Sequence, residues 1–152
     1  MAKRVFLEVR SGSNYYTLVG LSSQLKDYRL SFLLNKLPGF SFSRFEDLMV
    51  TVPEVEAPIP FSIYTSNDEE NFNYFTLLSN RSNDHFLIPS VKQTDYLLMI
   101  EGPFKKQQMD NLLKALRTIP NILLATEIKT TSIKQFESLI SDLELHVMKN
   151  KH

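Results

Sequence analysis

The stretch Tyr96-Leu97-Leu98-Met99-Ile100-Glu101 decides the fold. Its first five residues are apolar without a break. A strand with one wet face alternates apolar and polar residues, whereas an unbroken run of this length reads as a strand buried on both faces, hence central. Gly102-Pro103 closes it. The approach is Leu87-Ile88-Pro89-Ser90-Val91-Lys92-Gln93-Thr94-Asp95. Pro89 fixes its own φ and restricts Ile88 to extended geometry. Asp95, at the mouth of the strand, suits an Asx-type turn that caps backbone donors.

Downstream, Met109, Leu112, Leu113 and Leu116 recur at helical spacing and predict a helix over 105–118. A strand over 122–128 follows. This strand–helix–strand unit fits a parallel crossover or an antiparallel return. Ser132 and Gln135 are spaced as a capping box ahead of a last helix, whose stripe is Ile133, Phe136, Leu139, Ile140 and Leu143. Upstream, a hairpin is expected from a strand over 5–9, a Ser11-Gly12-Ser13-Asn14 turn and a strand over 15–21. Ser22 or Ser23 is the expected N-cap of a helix over 24–37, stopped by Pro38-Gly39. Leu25, Tyr28, Leu30, Phe32, Leu33, Leu34 and Leu37 give that helix a broad apolar face. Strands are expected over 47–52, 61–65 and 72–79, with prolines 53, 58 and 60 marking a loop or sheet edge and 80–84 a polar loop.

The predicted fold is one α+β domain over 1–147: a mostly antiparallel sheet of about six or seven strands with three helices, ending β-α-β-α, where a ferredoxin-like half is expected. Residues 148–152 are expected to fray.

A chain of 152 residues buries enough surface to fold without a metal or disulfide. It has no Cys, which excludes a thiol nucleophile, a disulfide framework and a Cys-type zinc site. The N-terminus reaches Glu8 before a long apolar run forms, so no signal peptide is expected. No run approaches the ~18 apolar residues of a membrane span. The expected location is the cytoplasm. The 17 basic and 17 acidic residues cancel but are segregated. Residues 45–80 hold seven acids and no Lys or Arg, whereas residues 1–44 hold seven basic residues against Glu8 and Asp27. The blocks either neutralise each other in the fold or give the molecule a basic and an acidic face.

Candidate chemistry is sparse. His85, His146 and His152 share no metal-ligand spacing. Asp68-Glu69-Glu70 lacks the ligand alternation and central Gly of a calcium loop and reads as a solvated hairpin tip. Ser11-Gly12-Ser13 is too short for a phosphate loop. Asn80-Arg81-Ser82 matches a glycosylation sequon, discounted without a secretory signal. On the first helix, Asp27 and Arg29 do not face each other. Arg29, Asn35 and Lys36 are candidate polar anchors of a partner surface. His85, Asp95 and Tyr96 are candidate polar groups of a small-ligand or catalytic pocket, against a purely structural role for Asp95 and Tyr96 at the start of the strand. No aromatic-basic motif of an RNA-recognition sheet is present, and most of the 11 Phe and 6 Tyr read as core.

Ile88-Pro89-Ser90, Val91-Lys92-Gln93 and Thr94-Asp95-Tyr96 together resemble the signature of the IPExxxVDY family, short bacterial proteins of uncharacterised function. Ser90 stands where the family has Glu and Thr94 where it has Val. Asp27-Tyr28-Arg29-Leu30 with Leu34-Asn35 also looks like that family, and length and order agree over essentially the whole chain. The missing Glu argues against an essential carboxylate there. The resemblance implies genes for ribonuclease III and for acyl carrier protein with its condensing enzyme nearby, an association and not a mechanism.

The leading expectation is a non-catalytic module that binds another protein through polarised surface charge. One alternative is an accessory factor in RNA processing or ribosome maturation; another is a small-ligand binder or enzyme. No metal, cofactor or membrane contact is expected, and the oligomeric state stays open.

Overall fold

The structure, a computed structural model, describes residues 16–149. The element order is β1 (Tyr16–Ser23), α1 (Asp27–Leu34), β2 (Ser43–Val50), β3 (Ile59–Asp68), β4 (Asn73–Ser79), β5 (Arg81–Ser82), β6 (His85–Phe86), β7 (Tyr96–Glu101), α2 (Lys106–Leu116), β8 (Ile122–Ile128) and α3 (Phe136–Lys149). Six strands form one sheet in the order β2-β3-β4-β7-β1-β8, every neighbouring pair antiparallel, and β5 and β6 form a separate small ribbon. The fold is the expected α+β class.

β7 lies between β4 and β1, as its unbroken apolar run requires. Tyr96, Leu98 and Ile100 point to one face, where α1 and α2 pack, and Leu97 and Met99 to the other, under α3. Leu98 lies opposite Leu77 on β4 and Val19 on β1, all fully or almost fully buried. Burying such a side chain contributes about 1.5–3 kcal/mol, so this three-strand row anchors the sheet.

The terminal unit resolves the question left by short loops. β7 and β8 both pair antiparallel to β1, which lies between them. They are therefore parallel to each other across β1, with α2 as crossover: a split β-α-β, as in ferredoxin-like halves. Both sides of β1 are paired over Leu18–Leu21, by β7 and by β8. The expected strand over 5–9 lies outside the described residues.

Several boundaries moved for local reasons. Ser23 stays in β1, donating from Oγ to Asn121 O at 2.7 Å and accepting from Leu25 N at 3.2 Å, so α1 begins later with Lys26 as N-cap. The chain beyond α1 tightens: Lys36 N donates to Leu33 O and Leu37 N to Leu34 O, three-residue turns that end before Pro38. β2 starts at Ser43, four residues before the expected strand, and carries a bulge between Phe45 and Leu48. The expected capping box at Ser132 is not made. Ser132 Oγ donates to Lys129 O at 2.7 Å inside a short 3-10 turn (Thr130–Ser132), and α3 starts at Phe136 with its predicted stripe buried. Among the described residues β8 pairs with β1 alone, and on β8 Ala125 O accepts from Arg117 Nη2 at 2.8 Å.

Gly20 is needed for space. A Cβ there would meet Ile128 Cδ1 at 2.6 Å and Thr94 Oγ1 at 2.9 Å. Thr94 is buried and β-branched, so it has little freedom to yield. Gly20→Ala is expected to cost about 1–3 kcal/mol, overriding the usual gain of Ala over Gly in a strand. Ile128→Val in the same chain should recover part of the loss. Urea unfolding of the two variants checks this; an equally stable Gly20→Ala protein contradicts it.

Candidate functional site

The segment before β7 works as a scaffold. Asn80 is fully buried. Its Nδ2 donates to the carbonyls of Thr94 (2.9 Å), Val91 (3.1 Å) and Ile88 (3.4 Å), and its Oδ1 accepts from Ile88 N at 2.7 Å. Its backbone N donates to Asp95 O, and its carbonyl accepts from Leu87 N. One amide thus closes residues 80–95 into a loop around itself. A glycan on Asn80 has no room, which disposes of the sequon.

That loop in turn grips the connection between β1 and α1. Asp95 Oδ2 accepts from Ser23 N at 2.8 Å, and Asp95 Oδ1 pairs with Arg81. Asp95 therefore does cap a backbone donor, but one on a distant strand instead of in a local turn. Ser22 Oγ donates to Gln93 O at 2.6 Å, and Tyr96 Oη donates to Leu25 O at 2.5 Å. Tyr96 is buried, and its phenol is raised well above the ordinary value by that burial first and then by the carboxylates of Asp27 and Asp95. The neutral phenol is the form that donates to Leu25. The linkage sign follows. Tyr96 keeps its proton in the folded chain after an unfolded chain would lose it, so its contribution is complete below about pH 10, the ordinary tyrosine value, and falls as pH rises further. Urea midpoints at pH 8 and pH 11 should show a smaller loss in Tyr96→Phe than in the unmodified chain; equal losses contradict this.

The other end of α1 is also tied down. Asn35, though exposed, ties down to the backbone of Phe42, donating from Nδ2 to Phe42 O at 3.0 Å and accepting at Oδ1 from Phe42 N at 2.6 Å. Arg44 adds a tie at the start of α1, where its Nη1 reaches Asp27 Oδ2 at 3.2 Å and also Tyr64 Oη at 3.3 Å, and its Nη2 reaches Asp47 at 2.5 Å. The hydrogen bond with Tyr64, ahead of the charges of Asp47 and Asp27, raises its already high pKa. Arg44 to Asp47 is one direct link between the basic and acidic blocks. Glu46, Glu54, Glu56, Glu69 and Glu70 remain exposed.

Held at both ends, α1 buries Leu30, Ser31 and Leu34 and turns its other side outward. Tyr28 and Phe32 do not join the core as periodicity suggested. They are 66% and 56% exposed. At about 100° per residue, Tyr28, Phe32 and Arg29 fall within one arc of about 100°, opposite the buried leucines, and Lys36 follows just beyond the helix. Lys36 Nζ sits 5.1 Å from the centroid of the Phe32 ring. Arg29 and Lys36 are exposed, as is Lys26 at the N-cap, and none of the three makes an ion pair among the described residues.

The candidate residues therefore divide. Arg29 lies on the outer face of α1 and Lys36 just beyond the helix; Asn35 is a fastening. Asp95 and Tyr96 engage backbone groups. His85 lies on the β5–β6 ribbon opposite Ser82 and makes no hydrogen bond to Asp95 or Tyr96. A shallow open cavity of about 260 Å³ lies instead at the start of β1 and end of β8, among Tyr16, Thr17, Leu18, Glu127, Ile128 and Lys129, and includes none of those three. His146 fastens α3 to the sheet edge, its Nε2 2.7 Å from Glu46 O and its ring edge-on to Phe45. Among the described residues, no group of three or more His, Asp and Glu is placed to hold a metal ion, and no helix is long and apolar enough to cross a membrane.

Asn80 and the exposed pair Tyr28 and Phe32 are what sequence reasoning missed. The hydrophilic N-cap region and Arg29 hinted that one side of α1 was wet, but Tyr28 and Phe32 concealed how much.

No protein-family model, curated protein or solved structure matches this chain.

Proposed function

We propose that the protein is a non-catalytic interaction module whose docking surface is the outer face of α1. One observation carries this reading: two large aromatic rings stand exposed, one turn apart, on a helix fastened at both ends, with Arg29 on the helix and Lys26 and Lys36 at its two ends, none of the three in an ion pair among the described residues. Exposed aromatics beside Arg are the composition of interface hot spots. A helix fixed by Asp95, Tyr96, Asn35 and Arg44 presents them without a large ordering cost on binding. The two stretches that resemble the IPExxxVDY family acquire a joint meaning on this reading, because the loop over 88–96 positions the helix over 27–34. Membership of that family and a cytoplasmic setting belong to the same proposal.

Rings and cations on one surface also suit single-stranded RNA, which supports the second reading, an RNA-processing or ribosome-maturation factor. Charge reversal tests the first. Arg29→Glu with Lys36→Glu should reduce partner binding by about tenfold or more while leaving the melting temperature within about 2 °C, since both side chains are exposed. An unchanged partner set after the reversal counts against the proposal.

A further inference from the structure

We infer that the segment seated on α1 is a carboxylate-rich segment of another protein with an apolar anchor against Tyr28 and Phe32. This rests on the docking reading above and adds the chemistry of the occupant.

The argument is charge complementarity. Lys26, Arg29 and Lys36 find no carboxylate on their own chain among the described residues. Asp27, the acid of α1, is taken by Arg44. The exposed glutamates lie on other elements: Glu46 on β2, Glu54 and Glu56 in the β2–β3 loop, Glu69 and Glu70 in the β3–β4 turn, Glu127 on β8 and Glu137 on α3. The face therefore sets two apolar rings between Lys26 and Lys36 at the two ends of the helix, with Arg29 beside them. Tyr28 and Phe32 ask for apolar side chains about one helical turn apart on the partner, and the cations for acids flanking them. RNA fits less well. Tracking a phosphate backbone takes an extended positive groove, whereas this chain has no net charge and carries exposed acidic loops that repel a polyanion. Three cations match a short acidic segment.

The test uses the full chain, tagged, in its own cells, with a carbodiimide that joins Lys amines directly to carboxylates without a spacer, followed by mass spectrometry. The expected result is bridges from Lys26 or Lys36 to Asp or Glu of one other protein. They should be absent in Tyr28→Ala/Phe32→Ala and reduced about tenfold in Arg29→Gln, which leaves both lysines in place. A partner lost in the aromatic variant yet showing no such bridge, and indifferent to Arg29→Gln, overturns the acidic chemistry and leaves the docking face standing. If nothing depends on Tyr28 and Phe32, the docking face itself fails, and the inference with it. Bridges from Lys36 to glutamates of this same chain in a second copy, or material lost on ribonuclease treatment, overturn the inference by naming a different occupant.

Discussion

Asn80→Ala is expected to destabilise the protein by about 3 kcal/mol, lowering its melting temperature by roughly 6–12 °C at this chain length. The substitution removes one acceptor and both amide protons from a site with no solvent exposure. Ile88 N then loses its acceptor, and the carbonyls of Thr94, Val91 and Ile88 lose their donor. A buried polar group left unsatisfied costs about 1–3 kcal/mol, and the sum stays below the simple total because the loop can relax and admit water. Asn80→Asp sharpens the test. It is nearly isosteric and keeps the acceptor for Ile88 N, but sets an anion against three carbonyls. It should be at least as damaging as Ala. Thermal melts of both decide the matter. Losses under about 0.5 kcal/mol for either would show that Asn80 does not hold the loop.

Tyr28→Ala with Phe32→Ala is expected to weaken the partner complex by about 100-fold or more, since truncating a central interface aromatic commonly costs about 2 kcal/mol or more. The fold should not notice. Both rings are more than half exposed, and Ala is the better helix former. The loss has two parts. The rings supply the apolar contact, and Phe32 also steadies Lys36 above its face. A titration against the recovered partner, beside a thermal melt, separates binding from stability. Full affinity in the double variant moves the docking surface away from α1.

Much of the architecture was legible because its signals were local and strong. The run 96–101 required a doubly buried strand, and β7 has those bounds and that place. The stripes of α2 and α3 and the strand over 122–128 were equally direct. The strand order was not legible, because β1 inserts between β7 and β8 and no local pattern records an insertion from elsewhere in the chain. The first helix misled for a physical reason. An eight-residue helix with leucines on one side and Tyr28 and Phe32 on the other has an apolar periodicity that does not say which arc faces inward. Asn80 was illegible because a polar residue in a polar loop looks the same whether water or three carbonyls surround it. The sequence marks Arg29, Asn35 and Lys36 alike as polar surface positions; Arg29 and Lys36 are exposed, whereas the side chain of Asn35 is bonded to the backbone of Phe42.

The measurement that tests the central claim most directly is recovery of the tagged protein from its own cells in gentle salt. It compares the unmodified chain with Tyr28→Ala/Phe32→Ala, each with and without ribonuclease. The account predicts a defined protein partner that survives ribonuclease with the unmodified chain and is missing from the double variant, the two chains melting at the same temperature. The same partners on both chains, or partners that ribonuclease abolishes, would contradict it.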